Sequence, residues 1–423
     1  MSFIKNVIRL STGASLGQIL IIASTPLLAR LYDPEEFGAL ALFSSAYAIC
    51  IVLFTLKYDL AIILPKNKAI AKQITALILR LSVLMLFVSL IVVVIYVATS
   101  SIKDTWFYLL LPIALFSGAM YTTAQQWQAR TNDYTQYAKS QLLVSSLNIS
   151  VSLILGYLAT NLFGELVIGY SFGLLVGTIY LLLASKKFIP SLGGLLAVNK
   201  SLLLETGRKF NRFPKVILPT VLIAMIGMNL TPFLLKSYFS IEDVGHYGVA
   251  YRMLLAPSAF IGAAITEAFR AEFVRIQNKG LNTKSVFVKT LVRLIFFAVP
   301  VFILIYLLAP FVIEWLLGNG YEYSGVLVQT LCLGVFASFI AQTFFYVFIA
   351  TDNEKTGFIG QIFVSLIPLI GLLIGGLMDD IILSMWLFSI FTLLASIFIV
   401  SFAFRVRRRY DFVHNHLEEC LEA

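Results

Sequence analysis

Apolar runs of bilayer-spanning length recur along the chain, separated by short polar patches and by one long one. At about 20 residues per crossing, the runs place spans near residues 9–30, 37–57, 74–98, 106–129, 139–160, 165–185, 215–236, 246–268, 289–311, 324–349, 357–377 and 383–404. Apolar residues are continuous in them rather than alternating, which predicts helices and not the strands of a membrane barrel. The long polar patch, Lys186 to Arg212, lies at the midpoint. Its Leu195, Leu196, Leu202 and Leu203 have rough helical spacing and predict a short amphipathic helix on the cytoplasmic leaflet. The expected organisation is a six-helix lobe over 1–185, a linker over 186–213, a second six-helix lobe over 214–404 and a tail over 405–423.

The two halves are copies. Leu27-Leu28-Ala29-Arg30-Leu31-Tyr32-Asp33-Pro34-Glu35-Glu36-Phe37-Gly38 returns 207 residues later as Leu234-Leu235-Lys236-Ser237-Tyr238-Phe239-Ser240-Ile241-Glu242-Asp243-Val244-Gly245. Acidic pair and glycine stay in register, and each copy ends one apolar run and opens the next. An even number of spans per half makes the repeats parallel, so the expected fold is all-α and integral to the membrane: twelve transmembrane helices in two parallel six-helix lobes around a central cavity.

Charge fixes the expected orientation. Only 13% of residues are charged and 59% are hydrophobic, against about 25% charged in a soluble domain. With the N-terminus in the cytoplasm, all of the 31 Lys and Arg except Arg30, Lys103, Lys236 and Arg252 fall on or near the cytoplasmic face. The run Arg405-Val406-Arg407-Arg408-Arg409 then reads as a cytoplasmic stop, and Met1–Asn6 leads into an uncleaved first span. The net charge of +9 is a topology signal, not a nucleic-acid footprint. Trp106, Trp127, Trp315 and Trp386 all fall near span ends, the headgroup level that tryptophan prefers.

No Walker loop, nucleophile elbow or zinc-ligand spacing is present, and Cys50, Cys332 and Cys420 are scattered, so neither an enzyme nor a resident metal or cofactor is expected. Interest moves to charge at membrane depth, which is costly unless it faces a wet cavity or a partner. Arg252 is the deepest cation, six residues past His246. Arg30 and Lys236 end the first and seventh spans, and Lys57 ends the second. These four are the candidate cavity cations; interface anchoring is the competing role. Asp33, Glu35, Glu36, Glu242 and Asp243 either cap the following helices through the macrodipole or form a gate with Arg30 and Lys236. Asp59, Glu267 and Arg270 complete the gate and coupling candidates. Polar residues within spans, among them Ser15, Gln18, Ser24, Thr25, Asn148, Asn229 and Gln361, either join helices or line a wet path. Pro219 and Pro232 make the seventh span the expected hinge.

The first copy with Pro26 ahead of it, then Lys57-Tyr58-Asp59-Leu60-Ala61-Ile62-Ile63-Leu64-Pro65 and Arg212-Phe213-Pro214-Lys215, resembles the polysaccharide-transporter branch of the multidrug/oligosaccharidyl-lipid/polysaccharide (MOP) flippase superfamily, the O-antigen and exopolysaccharide flippases. The likeness runs along the whole chain in span count and linker position, with its motifs concentrated in the first 75 residues. It implies a MATE-like fold and passage of an undecaprenyl-pyrophosphate-linked oligosaccharide from the cytoplasmic to the periplasmic leaflet of a bacterial inner membrane. It further implies H+ or Na+ coupling, both termini in the cytoplasm, and association with a polysaccharide polymerase and a chain-length regulator. By the same likeness Arg30 and Lys57 fall in the N-terminal motif and Arg252 where cavity cations occur. A pyrophosphate needs a counter-charge in a low-dielectric site, and an inside-negative potential favours its exit by about 2.3 kcal/mol per charge per 100 mV. The alternatives are a lipid II flippase, usually of fourteen spans, a multidrug exporter, and, in another class, a glycan polymerase or ligase, which the short outer loops disfavour.

Overall fold

The computed structural model describes residues 2–100, 105–158, 162–185, 192–277 and 279–422, with backbone alone for 2–15, 192, 196, 256–264, 354 and 412–422. Lys103, Lys186 and Lys187 lie outside the described residues. Among the described residues every regular element is helical. In chain order the helices are α1 (Ser2–Ala29), α2 (Pro34–Thr55), α3 (Lys68–Thr99), α4 (Leu111–Thr131), α5 (Tyr134–Leu158), α6 (Glu165–Ala184), α7 (Leu192–Leu196), α8 (Lys200–Lys209), α9 (Leu218–Asn229), α10 (Thr231–Tyr238), α11 (Ile241–Gln277), α12 (Lys284–Leu317), α13 (Glu322–Phe344), α14 (Tyr346–Ala350), α15 (Glu354–Leu377) and α16 (Ile381–Glu422). Nine stretches among the described residues are long and apolar enough to cross a bilayer, ten if the bent pair 200–209 and 213–229 counts as one. The helices α1 and α11 cover the first and eighth expected spans.

The chain divides into two compact units, residues 1–229 and 230–423. The division falls inside the seventh expected span, beyond the linker where the sequence places the lobe boundary. The chain breaks there because Pro232, second residue of α10, has no N–H to continue the ladder from α9. The first half of the span, α9, packs on α2 in the first unit, and its second half, α10, packs on α11 and α15 in the second.

Within each unit the packing repeats. In the first, α5 lies on α6, α6 on α4, and α4 on both α2 and α3; in the second, α15 lies on α16, α16 on α13, and α13 on both α11 and α12. Small residues make the tightest of these contacts. Gly169, Gly173 and Gly177 form one stripe of α6 against α5, and a Cβ on Gly173 would stand 2.6 Å from the Val144 carbonyl oxygen and 2.9 Å from the Asn148 nitrogen. Gly371 and Gly375 do the same for α15, where a Cβ would meet the Leu387 and Ser384 backbone of α16 at 2.6 and 2.4 Å. In lipid, close backbone approach is a main source of helix association. Gly173→Leu should therefore destabilise the protein by about 1–3 kcal/mol, read as a lowered melting temperature in detergent. Ile179→Leu on the exposed face of α6 should leave it unchanged; equal melting of the two variants would refute the close packing.

The linker docks on protein. Leu195 and Leu203 are buried against Ala76 and Leu79 of α3, the Arg80 guanidinium donates to the Val198 carbonyl at 2.6 Å, and Tyr58 donates to the Gly207 carbonyl at 3.1 Å. Among the described side chains of the linker, Leu202 and Leu204 are the leucines left exposed for the leaflet. The tail differs as well. α16 continues through the basic run, and Arg407 is 2% exposed. It donates to Asp411 Oδ2 at 2.8 Å and lies over the Phe404 ring, while Asp411 also accepts from the Thr283 hydroxyl at 3.0 Å. One arginine of the stop signal is thus a core residue.

Candidate functional site

At the C-terminal end of α2 the chain makes a turn that carries Lys57. Leu56 and Lys57 both take left-handed backbone, φ 46° and 60°, each a cost of about 1–2 kcal/mol for a residue with a Cβ. The turn is held from several sides. Asp59, buried, accepts from the Thr55 hydroxyl at 2.7 Å, and the same hydroxyl accepts the Lys57 N–H at 3.2 Å. Arg130 donates to the Ile62, Ile63 and Lys66 carbonyls at 2.8, 3.3 and 3.3 Å and lies over Trp127. Tyr58, Ala61 and Ile62 join a core cluster with Ile74, Trp127 and Phe213. Strain persists where the surroundings over-determine it, and here it fixes the half-buried Lys57. Arg130→Met should release those carbonyls at about 1.5–3 kcal/mol. Amide exchange should speed up across the turn Tyr58–Ile63 and not in α5 or α6; unchanged exchange there would show that Arg130 does not brace it.

Arg252 lies eleven residues into α11, about 16 Å from its start at 1.5 Å per residue, because the helix begins at Ile241, ahead of the expected span. It is half-buried beside the stacked pair Tyr247 and Tyr251. The ion pairs formed among the described residues are His246–Glu242, Arg270–Glu267, Arg275–Glu272 and Arg407–Asp411. Arg30, Lys57, Lys236 and Arg252 are in none of them. Arg30 and Lys236 are exposed at the C-terminal ends of α1 and α10, and no ion pair among the described residues joins them to the neighbouring carboxylates. Glu267 and Arg270 are exposed, with Arg270 also over the Tyr346 ring.

The acidic loops cap unequally. In the second copy Ser240 and Asp243 form a reciprocal box, the Ser240 hydroxyl accepting the Asp243 N–H at 3.0 Å and the Asp243 carboxylate accepting the Ser240 N–H at 3.0 Å. In the first, Asp33 stands at the N-cap of α2 without a side-chain cap bond, and Asp33 and Glu35 are exposed. Glu36 instead turns away from its own helix and accepts the Gly164 N–H, at the start of α6, at 2.6 Å. Sequence spacing points Glu36 at α2; only the fold brings α6 beside it.

Several residues fall elsewhere than their sequence signal suggests. Trp127 is a core residue, donating to the Thr75 hydroxyl at 2.9 Å, not a headgroup anchor. His246 is buried and paired with the Ser324 hydroxyl at 2.8 Å. Ser24, Thr25 and Asn229 satisfy themselves on carbonyls one turn back in their own helices. Arg130, Glu165 and Asp411 carry no local motif and become visible only through their partners.

A family model of polysaccharide biosynthesis proteins matches residues 27–325. The chain belongs to that family. Among solved structures it is similar to the lipid II flippase MurJ, at 14% identity and a TM-score of 0.74 over 96% of this chain and 90% of that one. It is likewise similar to a multidrug resistance MATE family transporter of the MOP superfamily, at 15% identity and 0.72 over 96% and 98%. A MOP superfamily transporter from Pyrococcus furiosus aligns at 15% identity and 0.57 over 96% of each chain. No curated protein matches it. This member of the polysaccharide biosynthesis family is therefore a multi-pass membrane protein with the fold of MOP-superfamily transporters.

Proposed function

We propose that the protein is a flippase that carries an undecaprenyl-pyrophosphate-linked oligosaccharide, an O-antigen or exopolysaccharide repeat unit, from the cytoplasmic to the periplasmic leaflet by alternating access. The observation that supports it best is Arg252: a half-buried guanidinium deep in an apolar helix, outside every ion pair among the described residues, in a chain whose family serves polysaccharide biosynthesis. A cation at such depth is retained where an anion visits it. The pyrophosphate is that anion, with Arg252 and Lys57 as counter-charges, while the polyprenyl tail stays in lipid. In this reading the termini lie in the cytoplasm, the membrane is the bacterial inner membrane, and passage is coupled to H+ or Na+. The protein works beside a polymerase and a chain-length regulator.

Reconstitution tests the reading. Proteoliposomes are loaded with a fluorescent undecaprenyl-pyrophosphate oligosaccharide, and label reaching the far leaflet is quenched from outside. Protein-dependent quenching is expected for the pyrophosphate-linked glycan. The same assay with lipid II, and accumulation of cationic drugs by cells, cover the two transporter alternatives; activity on either of these with none on the oligosaccharide overturns the reading.

A further inference from the structure

Near the start of α2 lies an acidic pocket for which the flippase reading as stated has no use. It encloses about 310 Å3 and is lined by Tyr32, Asp33, Glu35, Glu36, Gly156 and Glu165, together with Leu31, Leu162 and Phe163. Two of its four carboxylates are buried, Glu36 at 9% and Glu165 at 4% exposure. Both reach the start of α6: the Gly164 N–H donates to Glu36 Oε1 at 2.6 Å and the Leu162 N–H to Glu165 Oε1 at 3.2 Å. The second oxygen of Glu36, Oε2, is buried and lies beyond hydrogen-bond distance of any donor, while the Leu166 and Glu165 N–H groups also face the carboxylate. None of the ion pairs among the described residues brings a lysine or arginine to Glu36.

The groups facing Glu36 are identifiable element by element. The α1–α2 turn contributes Tyr32, whose hydroxyl donates to the Ser152 carbonyl at 2.6 Å and lies beside Glu165. The first turn of α2 contributes Asp33 and Glu35 at the mouth, α6 contributes Glu165, and α5 presents Gly156. All the charge is of one sign. Two buried carboxylates repelling each other, one with an orphan oxygen, are expensive when both are ionised. A single proton removes one charge and turns the orphan acceptor into a donor.

We infer that Glu36 and Glu165 form a proton-binding site, in which a proton from bulk water at this end of the first unit is held on Glu36 Oε2 and returns to the same water on release. Its use in driving transport rests on the flippase reading; its existence does not. In the proposed orientation the pocket opens toward the periplasm, the proton-rich side of an energised inner membrane, and Asp33 and Glu35 at its mouth concentrate protons there. Because Glu36 also ties α2 to the start of α6, gain or loss of the proton acts on the contact between these helices.

The purified full-length protein in nanodiscs gives the direct test, by infrared difference spectra between neutral and acid pH. The expected signal is a carbonyl band of a buried, protonated carboxylic acid, absent from Glu36→Gln and altered in Glu165→Gln. Glu36→Gln keeps an oxygen for the Gly164 N–H, and an unchanged melting temperature at neutral pH shows that it folds. A band that persists in folded Glu36→Gln overturns the site. So does a stabilisation by Na+ present in the wild type and lost in Glu36→Gln without any acid band, which assigns the pocket to a metal cation. In proteoliposomes an inward-directed acid gradient should speed wild-type translocation about tenfold, the size of an ordinary coupling free energy, and leave Glu36→Gln unmoved. If the oligosaccharide fails to move under any gradient while the band behaves as expected, the proton site stands and the flippase reading falls.

Discussion

Arg252→Ala is expected to slow translocation of the pyrophosphate-linked oligosaccharide by about 10- to 100-fold, the loss of one or two charge-assisted hydrogen bonds at about 1.5–3 kcal/mol. The guanidinium sits about 16 Å along α11, half-buried and outside the ion pairs of the described residues. Alanine removes a charge without stranding an acidic partner, so the melting temperature should hold or rise. That separates function from folding: a transport loss with unaltered stability is the signature of a group that serves a ligand. Arg252→Lys keeps the charge and loses the planar fork, and should restore most of the rate if the pyrophosphate is met as a point charge. Lys57→Ala should act in the same direction. Because both cations are proposed to meet the same pyrophosphate, the two losses need not multiply, and a double-variant cycle measures their coupling. A strain carrying both alanines that still displays its polysaccharide at full level would end the counter-charge argument.

The largest stability effect is expected at the other end of the second unit. Asp411→Ala should cost about 3–5 kcal/mol, because it leaves Arg407 buried without its counter-ion. Arg407 is 2% exposed, its Nε already lacks a partner, and its remaining bond, to Asn282 Oδ1, is long at 3.3 Å. The Thr283 hydroxyl and N–H lose their acceptor at the same time. The double variant Arg407→Met, Asp411→Leu removes both charges and should recover most of the loss. Thermal unfolding in detergent measures both; a double variant as unstable as the single one would mean that shape, not charge, sets the cost. The pair pins the last turns of α16 to the start of α12, so the single variant should also expose the α11–α12 connection to protease.

How much of this could be read from residues alone differs from one part to the next. Helical spans, the duplication and its mirrored packing follow from run length and from the repeated Leu-Leu…Glu-Glu-Phe-Gly signal, because lipid leaves helices as the economical way to satisfy a long apolar backbone. The break in the seventh span was visible in Pro232, whose missing N–H acts locally. The stripe Gly169, Gly173 and Gly177 drew no sequence reading, because its even spacing gains meaning only from α5 lying against it. Glu36, spaced like a cap for α2, spends its carboxylate on α6, 128 positions away. Arg407, set in a run that reads as a topology signal, is a core ion pair, and Trp127, placed at a span end, is the buried centre that braces the Lys57 turn.

By itself, then, the sequence determined what the solvent dictates: which segments are apolar enough to leave water, where they stop, and that one pattern was used twice. Tertiary structure alone decided which polar side chains face one another, namely Glu36 with Gly164 and Glu165, Arg130 with the carbonyls after Lys57, and Asp411 with Arg407 and Thr283. The physical reason is range. Hydropathy is a sum over neighbours in the chain, whereas a buried charge takes its energy from whichever group lies within a few ångströms in space, and no local pattern encodes that meeting.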